Sequence, residues 1–251
     1  MRKKIVVGLV GLLALTGLAN ADIVMKRKSH TDPVKMMGMT TPAKEEVVTT
    51  WIAEGKMSTD SPENMVILRL DKDRLYTIDK KAKTYIEMPL SAMTAMVDDP
   101  QMQEMMKTMA GQMKVSITET AETKKINQWN CRKYNQVMTI PMAGPVASEV
   151  WASPDIKVDY ELYAKSAAAM YARMPGMGAA MEEIVKEMKK IKGVPVLTTT
   201  TMKMMGAEVK SSEELLEVNE GKAPASVFEV PAGYKKVERE CPQCHKVFGC
   251  A

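Results

Sequence analysis

Apolar residues recur along this chain at two spacings, and the two divide it into helix and strand. Over residues 100–113, Met102, Met105, Met106, Met109 and Met113 follow the i, i+3, i+4, i+7 rule. At 100° per residue the five fall within an arc of about 100°, the width of one core-facing stripe. Gln103, Glu104 and Lys107 take the other side. Asp98-Asp99-Pro100 supplies a cap, a proline at the first helical position and acids at the helix N-terminus. A second stripe, Met181, Ile184, Val185, Met188 and Ile191, predicts a helix over 179–192. Gly193 closes it, and Lys189, Lys190 and Lys192 stand near its C-terminus, as the helix dipole prefers. Residues 161–173, rich in Ala, predict a further helix ended by Met174-Pro175-Gly176.

Elsewhere the texture is that of strand. Alternation and β-branched content predict strands over 22–31, 46–57, 64–70, 74–78, 83–88, 115–123, 129–141, 146–153, 194–205 and 234–237. Residues 208–218 fit strand or helix, 33–42 and 58–63 read as loop and turn, and 223–233 as a Pro-punctuated connection. Asp71-Lys72-Asp73 and Asp79-Lys80-Lys81-Ala82 are hairpin connections by length and Asp content, which makes the sheet antiparallel. The pattern predicts an α+β fold in which two Met-rich helices cover the apolar face of a sheet.

The first residues change where this domain is placed. Arg2-Lys3-Lys4, an apolar run from Ile5 to Leu18 and the small-x-small Ala19-Asn20-Ala21 form a signal peptide cleaved after Ala21. The run is shorter than the roughly 20 apolar residues of a membrane span. Asp22, where a lipoprotein would have Cys, opens the mature chain. The expectation is a periplasmic protein with no transmembrane segment: one domain over 22–240 and a Cys-rich tail over 241–251. Without Arg2, Lys3 and Lys4 the 35 basic residues barely exceed the 31 acidic ones. With near neutrality, no run of Lys/Arg and only two Phe for stacking, nucleic acid is not the expected partner.

Three constellations carry candidate chemistry. The 25 Met come first. Met fills irregular gaps and adapts to varied apolar partners, so the stripes read either as ordinary helix–sheet packing or as the deformable wall of a lipid cavity. A third reading is Cu(I) on thioethers, at Met36-Met37-Gly38-Met39, at Met174 with Met177, or at Met202 with Met204 and Met205. The second constellation is Cys241-Pro242-Gln243-Cys244-His245, the c-type haem attachment pattern. With Cys131 and Cys250 it makes four Cys, so disulfides, a metal site on Cys241, Cys244, His245 and Cys250, haem, and free thiols all stay open. The third is weak: His30 has no catalytic pattern around it, and Asp71-Lys72-Asp73 suits a turn better than a cation. Neither a nucleophile elbow nor a phosphate loop is present. The sequence therefore predicts no enzyme.

Several local patterns occur together: Arg69-Leu70-Asp71, Thr84-Tyr85-Ile86-Glu87-Met88, Ile126-Asn127-Gln128-Trp129-Asn130-Cys131-Arg132-Lys133-Tyr134, Glu149-Val150-Trp151, Gly193-Val194-Pro195-Val196 and Phe228-Glu229-Val230-Pro231-Ala232-Gly233-Tyr234. They resemble the secreted bacterial family catalogued as domain of unknown function 4412. That family is in turn similar to the outer-membrane lipoprotein carrier fold. Gln128 departs from the pattern, standing where Gly precedes the aromatic. The resemblance implies an open, curved antiparallel half-barrel with helices on its concave side, where carrier proteins receive acyl chains. It assigns no catalytic residue and no cofactor. The expected activity is binding of a lipid, acyl chain or other apolar molecule, with Trp51, Met102, Met105, Met106, Met109, Met181, Ile184 and Met188 lining the site. A redox or metal protein using Cys241, Cys244 and His245 is the alternative.

Overall fold

The computed structural model describes residues 22–36, 39–95, 100–141, 144–158, 178–204 and 207–238. The leader, the helix expected over 161–173 and the tail lie outside them. The described strands are β1 (Ile23–Thr31), β2 (Val34–Met36), β3 (Met39–Thr41), β4 (Lys44–Ala53), β5 (Lys56–Asp60), β6 (Asn64–Arg69), β7 (Arg74–Asp79), β8 (Thr84–Pro89), β9 (Lys114–Ile126), β10 (Trp129–Ile140), β11 (Gly144–Ser153), β12 (Val194–Met204), β13 (Ala207–Glu220) and β14 (Lys235–Lys236). The described helices are α1 (Leu90–Ala95), α2 (Pro100–Gln112) and α3 (Gly178–Met188).

Twelve strands make one open sheet in the order β14-β8-β7-β6-β5-β4-β1-β13-β12-β11-β10-β9, and β2 and β3 form a separate ribbon. The chain begins in the middle. From β1 it walks out through β4 to β8, crosses by α1 and α2 to the opposite edge at β9, and walks back to β13 beside β1.

The sheet is curved. Asn127, in the turn between β9 and β10, donates from Nδ2 to Glu214 Oε1 (3.0 Å) and to the Leu215 carbonyl (3.4 Å). β10 and β13 lie three places apart in the sheet, about 14 Å at the usual strand spacing, too far for a flat sheet to allow this bond. Bulges supply the bend. The ladders shift register at Arg132–Tyr134 between β9 and β10, at Trp151–Ala152 between β11 and β12, and at Lys26–Arg27 between β1 and β13.

Three apolar clusters follow. Ile23, Met25, Ile52 and Leu215 join Trp129, Cys131, Trp151, Val194 and Val196. Met65, Ile67 and Ile78 of the first half pack with Ala223 and Phe228, so the segment after β13 covers that end of the sheet. Val115, Ile117, Tyr134, Val150 and Ala152 form the third, with Ile184 and Ile191 against it.

Several expectations need correction. The loop over 33–42 contains the ribbon β2–β3, and the single strand over 46–57 is two, β4 and β5, hinged at Glu54-Gly55. The ambiguous stretch 208–218 is strand β13. α3 ends at Met188, four residues short of the expected Lys192. Among the described strands β14 alone pairs parallel, with β8; the other ladders are antiparallel. The turn carrying Gln128 is intact because Asn127, not residue 128, takes the left-handed conformation (φ 51°).

Candidate ligand-binding site

The chemistry-bearing side chains gather at two places. The first is the edge of the sheet at β9. Glu187 of α3 accepts the Ile117 N–H (3.1 Å), so the helix occupies hydrogen-bonding capacity that an edge strand would otherwise expose. Ile184 and Ile191 sit on the third cluster, while Met188 is 38% exposed. α2 contacts α3, and Ala110 is its buried residue, with Met109 and Met113 half-buried. Met105 is 48% exposed. It was expected to face the interior; instead the helix turns Ala110 inward and leaves Met105 toward solvent. Met102, Met106 and Met181 fall in described helices, but their side chains lie outside the described features. Trp51 stands apart from all of these. It alternates with Ile52, so one points into the first cluster and the other to the opposite face, against Phe228 and its neighbours.

Beside α3 a cleft of about 450 Å3 opens over the β9–β10 ladder, lined by Thr123, Lys124, Lys125, Asn130, Cys131, Arg132, Tyr134, Pro154 and Lys192. Its floor is apolar where Tyr134 joins the third cluster, while the Cys131 side chain turns to the first cluster on the other face. Its rim is cationic. Lys124 Nζ lies 4.1 Å from the centroid of the Trp151 ring, a cation–π contact that holds this ammonium on the first-cluster face. Arg132 and Lys192 both reach Glu119 (3.2 Å for Lys192), and they hold its carboxyl below the ordinary range, Arg132 most strongly. The Lys192 N–H donates to Tyr134 Oη (3.2 Å). Burial pushes the Cys131 thiol up, so it stays protonated and behaves as a small apolar residue. Cys131 has no disulfide partner among the described residues; Cys241, Cys244, His245 and Cys250 lie outside them. The strand expected over 115–123 stops short of Lys124 and Lys125, and sequence reasoning singles out neither; β9 runs on through both to Ile126.

The second place is the far end of β6. Arg69, 5% exposed, donates from Nε and Nη2 to both oxygens of Asp71 (2.8 and 2.7 Å). From Nη1 it donates to the Phe228 carbonyl (3.1 Å) and to Glu229 (2.5 Å). Two sequence patterns 160 residues apart thus meet in one ion cluster around the buried Arg69. Asp71 is committed to Arg69, and Asp73 takes the left-handed turn position (φ 55°) and accepts from Ser91 Oγ (2.8 Å), so the two carboxylates serve the turn and do not converge. His30 is less isolated than its sequence context suggested: Nε2 lies 3.1 Å from Asp32 and Nδ1 3.8 Å from Glu45 across the β1–β4 pair. No three His, Cys, Asp or Glu among the described residues are placed to hold a metal ion. No described helix is long and apolar enough to cross a membrane. Of the Met-rich candidates for copper, Met39 is exposed, Met202 is half-buried in β12, and Met37, Met174, Met177 and Met205 lie outside the described residues.

The described residues thus form an open, curved sheet with a helix along one edge and a cation-rimmed cleft beside it. The chain belongs to the family whose model, domain of unknown function (DUF4412), matches residues 34–234. No curated protein matches the sequence. Among solved structures, PNGF-II is 13% identical over 86% of this chain and 31% of its own, with a TM-score of 0.33. MucB is 9% identical over 88% of this chain and 61% of its own (TM-score 0.38). A domain described as an outer-membrane lipoprotein-sorting protein from Vibrio parahaemolyticus is 7% identical over 83% of this chain and 89% of its own (TM-score 0.28). The chain thus spans under a third of PNGF-II and under two thirds of MucB. Likeness at these scores says nothing of what this chain binds.

Proposed function

We propose that this protein is an exported, non-enzymatic binding or carrier protein for a lipid, acyl chain or other apolar molecule, with the Met-rich helices α2 and α3 as the adjustable cover of its site. The observation that carries the reading is the apolar surface left on that helix pair. Met105 and Met188 are substantially exposed, while Met109, Met113 and Ile184 beside them are half-buried. A helix whose stripe merely packed a core would bury its largest side chains; a thioether surface that stays partly open suits ligands of varied shape. Burial of ligand surface at about 25 cal/mol per Å2 drives such binding without chemistry. Export follows from the leader pattern of residues 1–21.

The test is an organic extract of the natively exported protein, analysed by mass spectrometry, beside titration of the delipidated protein with a fluorescent acyl probe. Lipid in the extract and probe binding weakened by Met109→Asp are expected. A clean extract together with no probe binding overturns the reading. The motif Cys241-Pro242-Gln243-Cys244-His245 supports a second reading, covalent haem c or a metal on the tail. A Soret band in the exported protein would establish it, and a colourless protein of unmodified mass would remove it.

A further inference from the structure

We propose that the cleft over the β9–β10 ladder binds the anionic head of an amphiphile, a phosphate or carboxylate, while the apolar tail lies along the Met-rich helices. The inference rests on the carrier reading for the tail only; the head site stands on its own geometry. Three cations, Lys125, Arg132 and Lys192, stand at the cleft on the Tyr134 face of the ladder, and no acid is among the lining residues. Two carboxylates engage this rim: Glu119, shared by Arg132 and Lys192, and Asp155, which accepts from Asn130 (3.0 Å). Two acids against three cations leave a net positive charge at the site. Lys125 has no carboxylate partner among the described residues, while Lys124 turns to the opposite face, over the Trp151 ring.

The remaining donors converge on the same space. Arg132 engages Glu119 through Nη1, which leaves its other guanidinium N–H groups for a planar oxyanion. Tyr134 accepts the Lys192 N–H at its oxygen, so its hydroxyl proton is available to donate. Below these donors the floor turns apolar at the Tyr134 ring and Pro154. That gradient, cations at the rim and apolar groups beneath, matches an amphiphile better than a free inorganic anion. The volume, about 450 Å3, holds a head group and the first part of a chain. A nucleic-acid strand would need a longer groove with several stacking aromatics.

The test uses the mature full-length protein and three ten-carbon probes below their micelle concentrations: decyl phosphate, decanoate and the uncharged decyl maltoside. Lys125→Gln/Lys192→Gln is the site variant; Lys203→Gln/Lys210→Gln removes the same charge from β12 and β13, and near-UV circular dichroism checks both folds. The expected result is that decyl phosphate binds more tightly than decyl maltoside and that added salt weakens it. The site variant should lose about tenfold in its affinity, as two partly screened cations would supply. Decyl maltoside should bind both forms alike, and the control variant should match wild type. Decanoate matching decyl phosphate assigns a fatty-acid head, and weaker decanoate binding assigns a phosphate. If decyl phosphate and decyl maltoside bind equally, or the site variant binds as wild type, the head site is refuted while the carrier reading survives. If no amphiphile binds but inorganic phosphate does, competed by salt, the carrier reading falls and the anion cleft stands. If nothing binds, both fall.

Discussion

Replacing Arg69 by Met should unfasten the C-terminal segment from the first half of the sheet. The side chain is nearly the same length, so the change removes charge and donors while keeping most of the volume. Four hydrogen bonds go: two to Asp71, one to Glu229 and one to the Phe228 carbonyl. The carboxylates are 38% and 53% exposed and can turn to water, so their share is discounted. The Phe228 carbonyl cannot; a buried acceptor left unpaired costs about 1–3 kcal/mol. With the residual charge-assisted bonds the loss comes to about 2–4 kcal/mol, or roughly 5–15 °C in Tm for a domain of this size. Acid should erase the difference. The hydrogen bond from Arg69 holds the Asp71 carboxyl below its ordinary value. For Glu229 burial acts upward, but Arg69 and Lys72 outweigh it and the net direction is down. Groups with a depressed folded pKa stabilise above their unfolded value, about 4, and lose that contribution as pH falls through the folded one. Urea denaturation of wild type and Arg69→Met at pH 7 and pH 3 measures this: a gap at pH 7 that narrows at pH 3 is expected. A gap that is absent at pH 7, or equally large at pH 3, refutes the clamp.

Two further outcomes are expected. Gly193 has φ +100°, and a Cβ there would lie 2.1 Å from the Ser153 carbonyl oxygen and 2.6 Å from Pro154 N, so Gly193→Ala must shift backbone at the cleft wall. It should cost about 3 kcal/mol or more, whereas Gly111→Ala, with open space around it in α2, should stabilise by up to about 1 kcal/mol; parallel thermal melts that agree would contradict this. Truncation after Glu240 should leave the domain folded, since described contacts of the core end with Tyr234, and should abolish any haem absorbance; a truncated protein that does not fold under reducing conditions would place the tail in the core.

What the sequence disclosed and what it withheld divide along the range of the interactions involved. Period-2 alternation over 129–140 marks β10 because Tyr134 and Met138 and their cross-strand partners all depend on local direction. The ribbon β2–β3 escaped notice because three residues a side give no period to count. β13 was ambiguous for a physical reason. Leu215 and Leu216 are adjacent, which breaks strand alternation; in the sheet Leu216 is the extra residue of a bulge, so Leu215 is buried and Leu216 exposed. The parallel pairing of β14 with β8 depends on how the segment after β13 returns over Phe228, and no local pattern encodes that.

The candidate site was legible only in its apolar half. Met109 and Ile184 announced themselves by spacing, because a helix repeats its own face and needs no partner to do so. Lys125, Arg132 and Lys192 stand in three places along the chain. They become one rim only when the β9–β10 hairpin curls toward β13 and the segment after α3 delivers Lys192 beside Tyr134. The curl itself comes from bulges that no composition reveals. A function that depends on the rim would therefore be invisible to sequence patterns, and substitution along the Met stripe alone would test only the half of the site that the sequence already displays.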